Sequence, residues 1–159
     1  MKYLVVALLS ISVSANDAVL TAWLDKRSTS IEWMKFYDNN GYSNVGLKCT
    51  SDSACLDYRK ANEFSFGTDI GITTGRFTPF VGVYYSNVEQ IRFGRSKSNS
   101  GWEGQVGFVL GKPDSSRMFR LTASDNIEAS IMLQISNTFS IAFKVGSDDI
   151  LGAGIAHRF

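Results

Sequence analysis

The chain ends in Ile150-Leu-Gly-Ala-Gly-Ile-Ala-His-Arg-Phe159, and the alternation in this stretch decides the fold. Successive side chains of an extended strand point to opposite faces. One face is apolar apart from its histidine and carries Leu151, Ala153, Ile155, His157 and Phe159. The other face carries the small residues Gly152, Gly154 and Ala156, with Ile150 and Arg158 at its two ends. This pattern is typical of a strand that faces hydrocarbon on one side and a packed or wet interior on the other.

The same alternation recurs in segments separated by turn residues, for example from Phe64 to Ile72 and from Phe139 to Val145. The chain is all-β by this pattern, and we predict a transmembrane antiparallel up-and-down β-barrel of eight to ten strands, with ten preferred. The number depends on residues 18–37. Their aromatic residues favour a hairpin, which gives ten strands, whereas Val19, Leu20, Trp23 and Leu24 also fit a helix, which gives eight.

Residues 1–15 have the layout of a cleaved signal peptide. Lys2 is the positive start, Tyr3–Ile11 is a short apolar run, and small residues lead to a cleavage site after Ala15. The apolar run is too short to span a bilayer, which needs about 20 residues. We therefore predict an exported protein whose barrel domain covers residues 16–159.

Charge and hydropathy argue against a nucleic-acid partner and against a transmembrane helix. The sequence has 16 basic and 15 acidic residues, and loss of Lys2 with the signal makes the numbers equal. A neutral chain is a poor match for nucleic acid, whose phosphates select a basic excess. No long apolar stretch follows the signal, so insertion into a membrane requires a closed barrel.

The closing segment Gly154-Ile-Ala-His-Arg-Phe159 resembles the last strand of small bacterial outer-membrane β-barrels, the class that includes OmpX, Ail and the OmpA barrel. The resemblance implies an outer-membrane location, contact with membrane lipid and lipopolysaccharide, and recognition of the terminal strand by the barrel-assembly machinery. The assembly signal would be the alternating face that ends in Phe159. His157 departs from the class, which usually has Tyr or an aliphatic residue there.

The resemblance also orients the barrel. If Phe159 lies on the periplasmic side, two long segments fall on the extracellular side: the loop that contains the cysteines and the polar segment Asn87–Ser100. The tightest turns then fall on the periplasmic side. Short periplasmic turns and longer external loops are the outer-membrane pattern. Cys49 and Cys55 lie in the first long loop, and an even pair in an exported chain predicts a disulfide, with metal binding the weaker alternative.

The inward faces of the predicted strands carry charges that an interior must neutralise: Asp69, Glu103, Arg120 and Lys144. Glu103 and Arg120 lie on neighbouring strands, and we expect them to pair, with the other two completing a network. The role we assign is structural, since an unpaired buried charge is costly. A barrel of this size is filled mainly by side chains, so we predict no wide pore.

Candidate chemistry is sparse. The sequence has no nucleotide-binding, hydrolase or metalloprotease motif, and its one histidine, His157, falls near the periplasmic rim. We predict no cofactor, no metal and no enzymatic activity. The basic residues of the two long loops are the remaining candidates, for lipopolysaccharide phosphates or an acidic surface partner: Arg59, Lys60, Arg92, Arg95 and Lys97.

The predicted function is a structural or surface-interaction role in the outer membrane. Two alternatives stay open: a narrow porin-like channel for ions or small solutes, and a soluble periplasmic or secreted β-barrel that binds a small ligand. A lipid-modifying enzyme is a third hypothesis.

Overall fold

The structure of the chain is a computed structural model. It describes residues 17–25, 28–50, 63–92, 95–147 and 150–159. The predicted signal peptide, residues 1–15, lies outside the described residues and stays a prediction.

Ten strands make up the described chain: β1 Ala18–Asp25, β2 Ser28–Phe36, β3 Gly41–Thr50, β4 Glu63–Ile72, β5 Phe77–Arg92, β6 Arg95–Leu110, β7 Arg117–Ala123, β8 Ile127–Gln134, β9 Phe139–Gly146 and β10 Leu151–Arg158. Each strand pairs antiparallel with the next. The first strand also pairs with the last, in a register that puts Ala22 opposite Ile155, and this closes the barrel. The predicted all-β up-and-down barrel is confirmed, with ten strands.

The segment that was undecided between a helix and a hairpin is the hairpin β1–β2, with Ala22 opposite Ile31. The apolar residues Val19, Leu20, Trp23 and Leu24 do not form a helix, although their spacing fits one. As a strand, β1 pairs on its second edge with β10, and this pairing favours the strand. No described residue belongs to a helix long and apolar enough to cross a bilayer.

The interior has two layers along the barrel axis. Asp17 and Phe159 mark one end, here called the termini end, and the opposite end is called the far end. Towards the termini end the buried inward side chains include an apolar cluster, here called the apolar plug: Val19, Met34, Phe36, Tyr42, Phe80, Val109, Met118 and Met132. The side chains of Thr21, Thr78, Ser140 and Arg158 are buried beside it. Towards the far end most inward side chains are polar or charged, with Trp23 the buried apolar exception among the described residues, and burial of both layers follows the alternation of the strands.

The hairpin β5–β6 differs from expectation. Asn87–Ser100 was predicted as a polar loop, but the structure pairs Asn87 with Ser100 and continues the ladder to Arg92 opposite Arg95. That prediction is wrong because pairing between two backbones requires no apolar face, and polar strands show no hydropathy alternation. Strand β6 pairs with β7 only over Val106–Leu110, so the hairpin extends past the end of β7.

Candidate binding site in the barrel interior

Asp69 is the centre of the polar interior. It lies on β4 and is fully buried (0% exposed). Its carboxylate accepts hydrogen bonds from Asn44 Nδ2 at 3.0 Å, from Arg120 Nη2 at 2.7 Å and from the amide of Gln105. Three strands besides its own therefore supply donors to one carboxylate, which offsets the cost of burying the charge.

Arg120 joins this centre to the layers above and below. Besides its pair with Asp69, the guanidinium lies 3.5 Å from Glu32 Oε2. Its Cζ lies 5.1 Å from the centre of the Phe80 ring, which belongs to the apolar plug. A cation over the face of an aromatic ring is attracted to it, so Arg120 packs on the apolar plug. On the side away from the plug, its charge pairs with the carboxylates of Asp69 and Glu32.

A second charged group lies on the other side of the barrel. Lys144 Nζ is 3.9 Å from Glu128 Oε2 and 5.1 Å from the centre of the Trp23 ring. Gly152 lies opposite Lys144 on β10, and a side chain at this position would press on the lysine methylenes. The space that Lys144 occupies therefore depends on a glycine in the closing strand.

The predicted network divides into separate groups. Asp69 and Arg120 are together, Lys144 pairs with Glu128, and Glu103 accepts a hydrogen bond from the hydroxyl of Tyr84. The expected pairing of Glu103 with Arg120 is wrong. The register sets Arg120 opposite Val109, six residues along β6 from Glu103, a distance of about 20 Å in a strand.

Sequence reasoning did not assign five members to these groups: Glu32, Asn44, Tyr84, Gln105 and Glu128. Glu32, Asn44 and Glu128 each had a signal, because each occupies the same face of its strand as residues with polar or small side chains that turn out to be buried, such as Ser30 and Ser130. That signal identifies an inward face but does not say which charges meet across the barrel.

A cavity of about 210 Å³ lies above Arg120 towards the far end. Its lining includes Ser30, Glu32, Lys48, Thr122, Glu128 and Lys144. It reaches the far-end rim at Asn126 and Ile150, which follow and precede strands there. Towards the termini end the interior is occupied by the apolar plug, where Met34, Met118 and Met132 are each at most 2% exposed. The cavity is therefore closed at its base.

The outer surface carries apolar side chains between two groups of aromatic rings. Near the far end, Phe66, Tyr85 and Trp102 contact one another with ring centres 5.3 to 5.6 Å apart. Near the termini end, Phe77, Phe108 and Phe119 form a similar row. The surface between and around them exposes large apolar residues, among them Ile70, Val81, Val83, Val106, Phe143 and Ile155.

The predicted assembly signal lies on this outer surface. Leu151 and Ile155 are 75% and 63% exposed, and Ala153 lies between them on the same face. The His157 ring contacts Phe139 and Phe159, with centres 5.0 Å and 4.4 Å away. The next residue, Arg158, is buried inside the barrel and donates hydrogen bonds to the carbonyl oxygens of Pro113 and Ser115.

Those predicted surface residues whose backbone the structure describes lie at the far end. Cys49 belongs to β3, whereas Cys55, Arg59 and Lys60 lie outside the described residues, so the disulfide stays a prediction. The backbones of Arg92, Arg95 and Lys97 belong to the extended hairpin rather than to a loop. Among the described residues no group of three or more His, Cys, Asp or Glu side chains is arranged to hold a metal ion.

Comparison with known proteins gives a likeness in fold. No protein-family model and no curated protein matches the sequence. Among solved structures, the N-terminal β-barrel domain of Pseudomonas aeruginosa OprF matches with a TM-score of 0.52 and 12% identity, over 92% of this chain and 100% of that domain. The Yersinia pestis outer membrane protein Ail, in a phospholipid bilayer nanodisc, matches with a TM-score of 0.41 and 14% identity, over 91% of this chain and 99% of Ail. The chain thus has a closed β-barrel fold like that of the OprF domain.

Proposed function

We propose that this protein is an integral outer-membrane β-barrel with a structural or surface-interaction role. The observation that carries the proposal is the apolar outer surface of a closed barrel whose interior holds the charges. Proteins that face water on all sides rarely expose continuous apolar patches of this extent. The surface therefore favours lipid as the surrounding medium over the alternative of a water-soluble, ligand-binding barrel.

The height of the apolar surface supports the same conclusion. Phe77 and Tyr85 belong to the two aromatic groups and are eight residues apart on β5. At about 3.3 Å per residue and a tilt of about 40°, they are separated by about 20 Å along the barrel axis. Outer-membrane barrels carry an apolar band of about 25 Å between their aromatic girdles, which is comparable.

The interior argues against the channel alternative. The apolar plug fills the termini half, and Arg120 packs on it from above. An ion that crossed the barrel would have to displace buried apolar side chains while leaving its hydration shell, which is costly. This packing supports the proposal of a non-conducting barrel.

The β5–β6 hairpin supports a surface-interaction role. Arg95–Gln105 on β6 have no partner strand on the β7 side among the described residues. An unpaired strand edge is a template for addition of a strand from another chain. Arg92, Arg95 and Lys97 belong to this hairpin by sequence, which favours an acidic surface partner or lipopolysaccharide phosphates.

The proposed role is non-enzymatic. His157 lies on the outer surface between two aromatic rings near the termini end, whereas the ion pairs Asp69–Arg120 and Glu128–Lys144 lie inside the barrel. We further propose export by a cleaved signal peptide, folding by the barrel-assembly machinery and a Cys49–Cys55 disulfide that shapes the far-end loop.

Four measurements test this proposal. The protein should stay in the membrane pellet after carbonate extraction and migrate differently on SDS gels before and after heating; full release by carbonate would refute membrane integration. In planar bilayers it should give no stable conductance steps, and reproducible steps would favour the channel. An unchanged lipid A mass spectrum on expression is expected; a new lipid A species would refute the non-enzymatic role.

A further inference from the structure

Three basic residues lie close together at the termini end, and we call them the basic rim. Arg76 is in the turn between β4 and β5, Lys112 is in the turn between β6 and β7, and Arg117 begins β7. Gly111 connects them: its amide donates a hydrogen bond to Arg76 O at 2.8 Å, and a Cβ on it would lie 2.6 Å from Arg117 O. The three backbones therefore lie on neighbouring parts of the barrel wall, within about 10 Å of one another.

The basic rim carries an excess of exposed positive charge. All three side chains are exposed, and none of them forms an ion pair in the part of the chain that the structure describes. Asp114 is the one carboxylate in the two turns, so three cations are accompanied by one anion. Exposed guanidinium and ammonium groups attract phosphate, and arginine binds two of its oxygens at once.

The basic rim borders the apolar outer surface. Arg76 immediately precedes Phe77, and Arg117 is two residues from Phe119 and on the same face of β7. Both rings belong to the aromatic row near the termini end, in which Phe108 contacts each of them. Aromatic rows of membrane proteins lie at the level of the lipid headgroups, and long basic side chains beside them extend to the same level. The three cations are therefore placed at the height of lipid phosphates.

We propose that the basic rim binds the phosphate headgroup of an anionic glycerophospholipid whose acyl chains lie along the apolar outer surface. This inference rests on the proposed membrane location and adds a preferred lipid and its site. An anionic headgroup is favoured over a zwitterionic one, because the ammonium group of a zwitterionic lipid is repelled by the rim. A free phosphate would lack the contribution of acyl chains packed on the apolar surface.

The test is native mass spectrometry of the folded protein in nonionic detergent, with equal amounts of phosphatidylglycerol and phosphatidylcholine of the same acyl chains. Phosphatidylglycerol should be retained with a preference of about twentyfold at low salt. Each basic residue near an anionic lipid contributes about fivefold, and Asp114 offsets one of the three. The preference should fall at high salt, because the cations are exposed. Glycerol 3-phosphate, which has no acyl chains, should not displace the lipid at equal concentration.

Variants locate the site. Arg117→Gln should lower the preference about fivefold, and both lipids should be retained about equally when all three residues are replaced: Arg76→Gln, Lys112→Gln and Arg117→Gln. Lys35→Gln is the matched control, since it removes one cation near the same end from β2, where the paired neighbours are Ala18 and Ser43 rather than other cations. It should keep most of the preference.

Four outcomes would overturn the proposal. These are equal retention of the two lipids by the unmodified protein, an unchanged preference in the triple variant, an equal loss in Lys35→Gln and Arg117→Gln, and displacement of the lipid by glycerol 3-phosphate. Heat-dependent gel migration of each variant reports folding separately. A folded barrel that resists carbonate extraction but shows no lipid preference would refute this inference and leave the membrane proposal intact.

Discussion

Asp69 on β4 lies directly opposite Gly82 on the neighbouring strand β5. A Cβ at position 82 would overlap Asp69 Oδ1, which is a steric clash. The absence of a side chain at one position therefore makes room for the carboxylate that organises the polar interior. Asp69 can then accept hydrogen bonds from Asn44, Gln105 and Arg120.

Gly82→Ala should destabilise the barrel by about 1–3 kcal/mol, because the added methyl group meets both the Asp69 carboxylate, which it displaces from its donors, and the Thr68 carbonyl oxygen. The measurement is urea unfolding of the refolded protein, followed by loss of the heat-modifiable band. Gly104→Ala on β6 is the matched control, since nothing lies within 4 Å of a Cβ there. Equal stability of the two variants would contradict the contact between residues 69 and 82.

Asp69→Asn should cost about 3 kcal/mol, at the low end for breaking a buried ion pair, because Glu32 remains 3.5 Å from Arg120. The double variant Asp69→Asn, Arg120→Met also removes the guanidinium that Asp69 pairs with. It should be less destabilised than the sum of the two single variants, as measured in a double-mutant cycle by urea unfolding. Strict additivity would show that the two residues are not coupled.

Deletion of Phe159 should reduce the amount of folded barrel in cell membranes and leave refolding in detergent nearly unchanged. The ring lies at the termini end against His157, and the Phe159 amide donates one hydrogen bond to Ala18 O, so its contribution to stability is small. Phe143→Ala removes an exposed ring from the middle of the outer surface and is the control. Normal membrane levels of the truncated protein would refute the assembly signal.

Cys49→Ser should lower the free energy of unfolding of the oxidised protein by about 2 kcal/mol, the chain-entropy value for a small loop. Reduction of the unmodified protein should have the same effect, and the variant should not respond to reductant. Intact mass before and after alkylation without reductant checks the predicted Cys49–Cys55 bond. Two alkylated thiols in the exported protein would contradict it.

The strands were predictable because their signal is local. In β9, Phe139, Ile141, Phe143 and Val145 alternate with Ser140, Ala142 and Lys144, and the structure turns the second set inward. The polar part of the β5–β6 hairpin was not predictable, since its pairing rests on backbone hydrogen bonds and leaves no hydropathy pattern.

The sequence by itself determined the alternation, the turns and therefore the closed barrel with its apolar exterior, because each depends on residues close together in the chain. The tertiary structure alone decided which interior charges meet. Closure brings Glu32, Asp69 and Arg120 from β2, β4 and β7 to one point, and the stagger between β6 and β7 carries Glu103 away from Arg120 to Tyr84. Register is a relation between distant segments, so no local pattern encodes it. The cavity, and the Ser30 hydroxyl buried at its wall, exist only once that register is set.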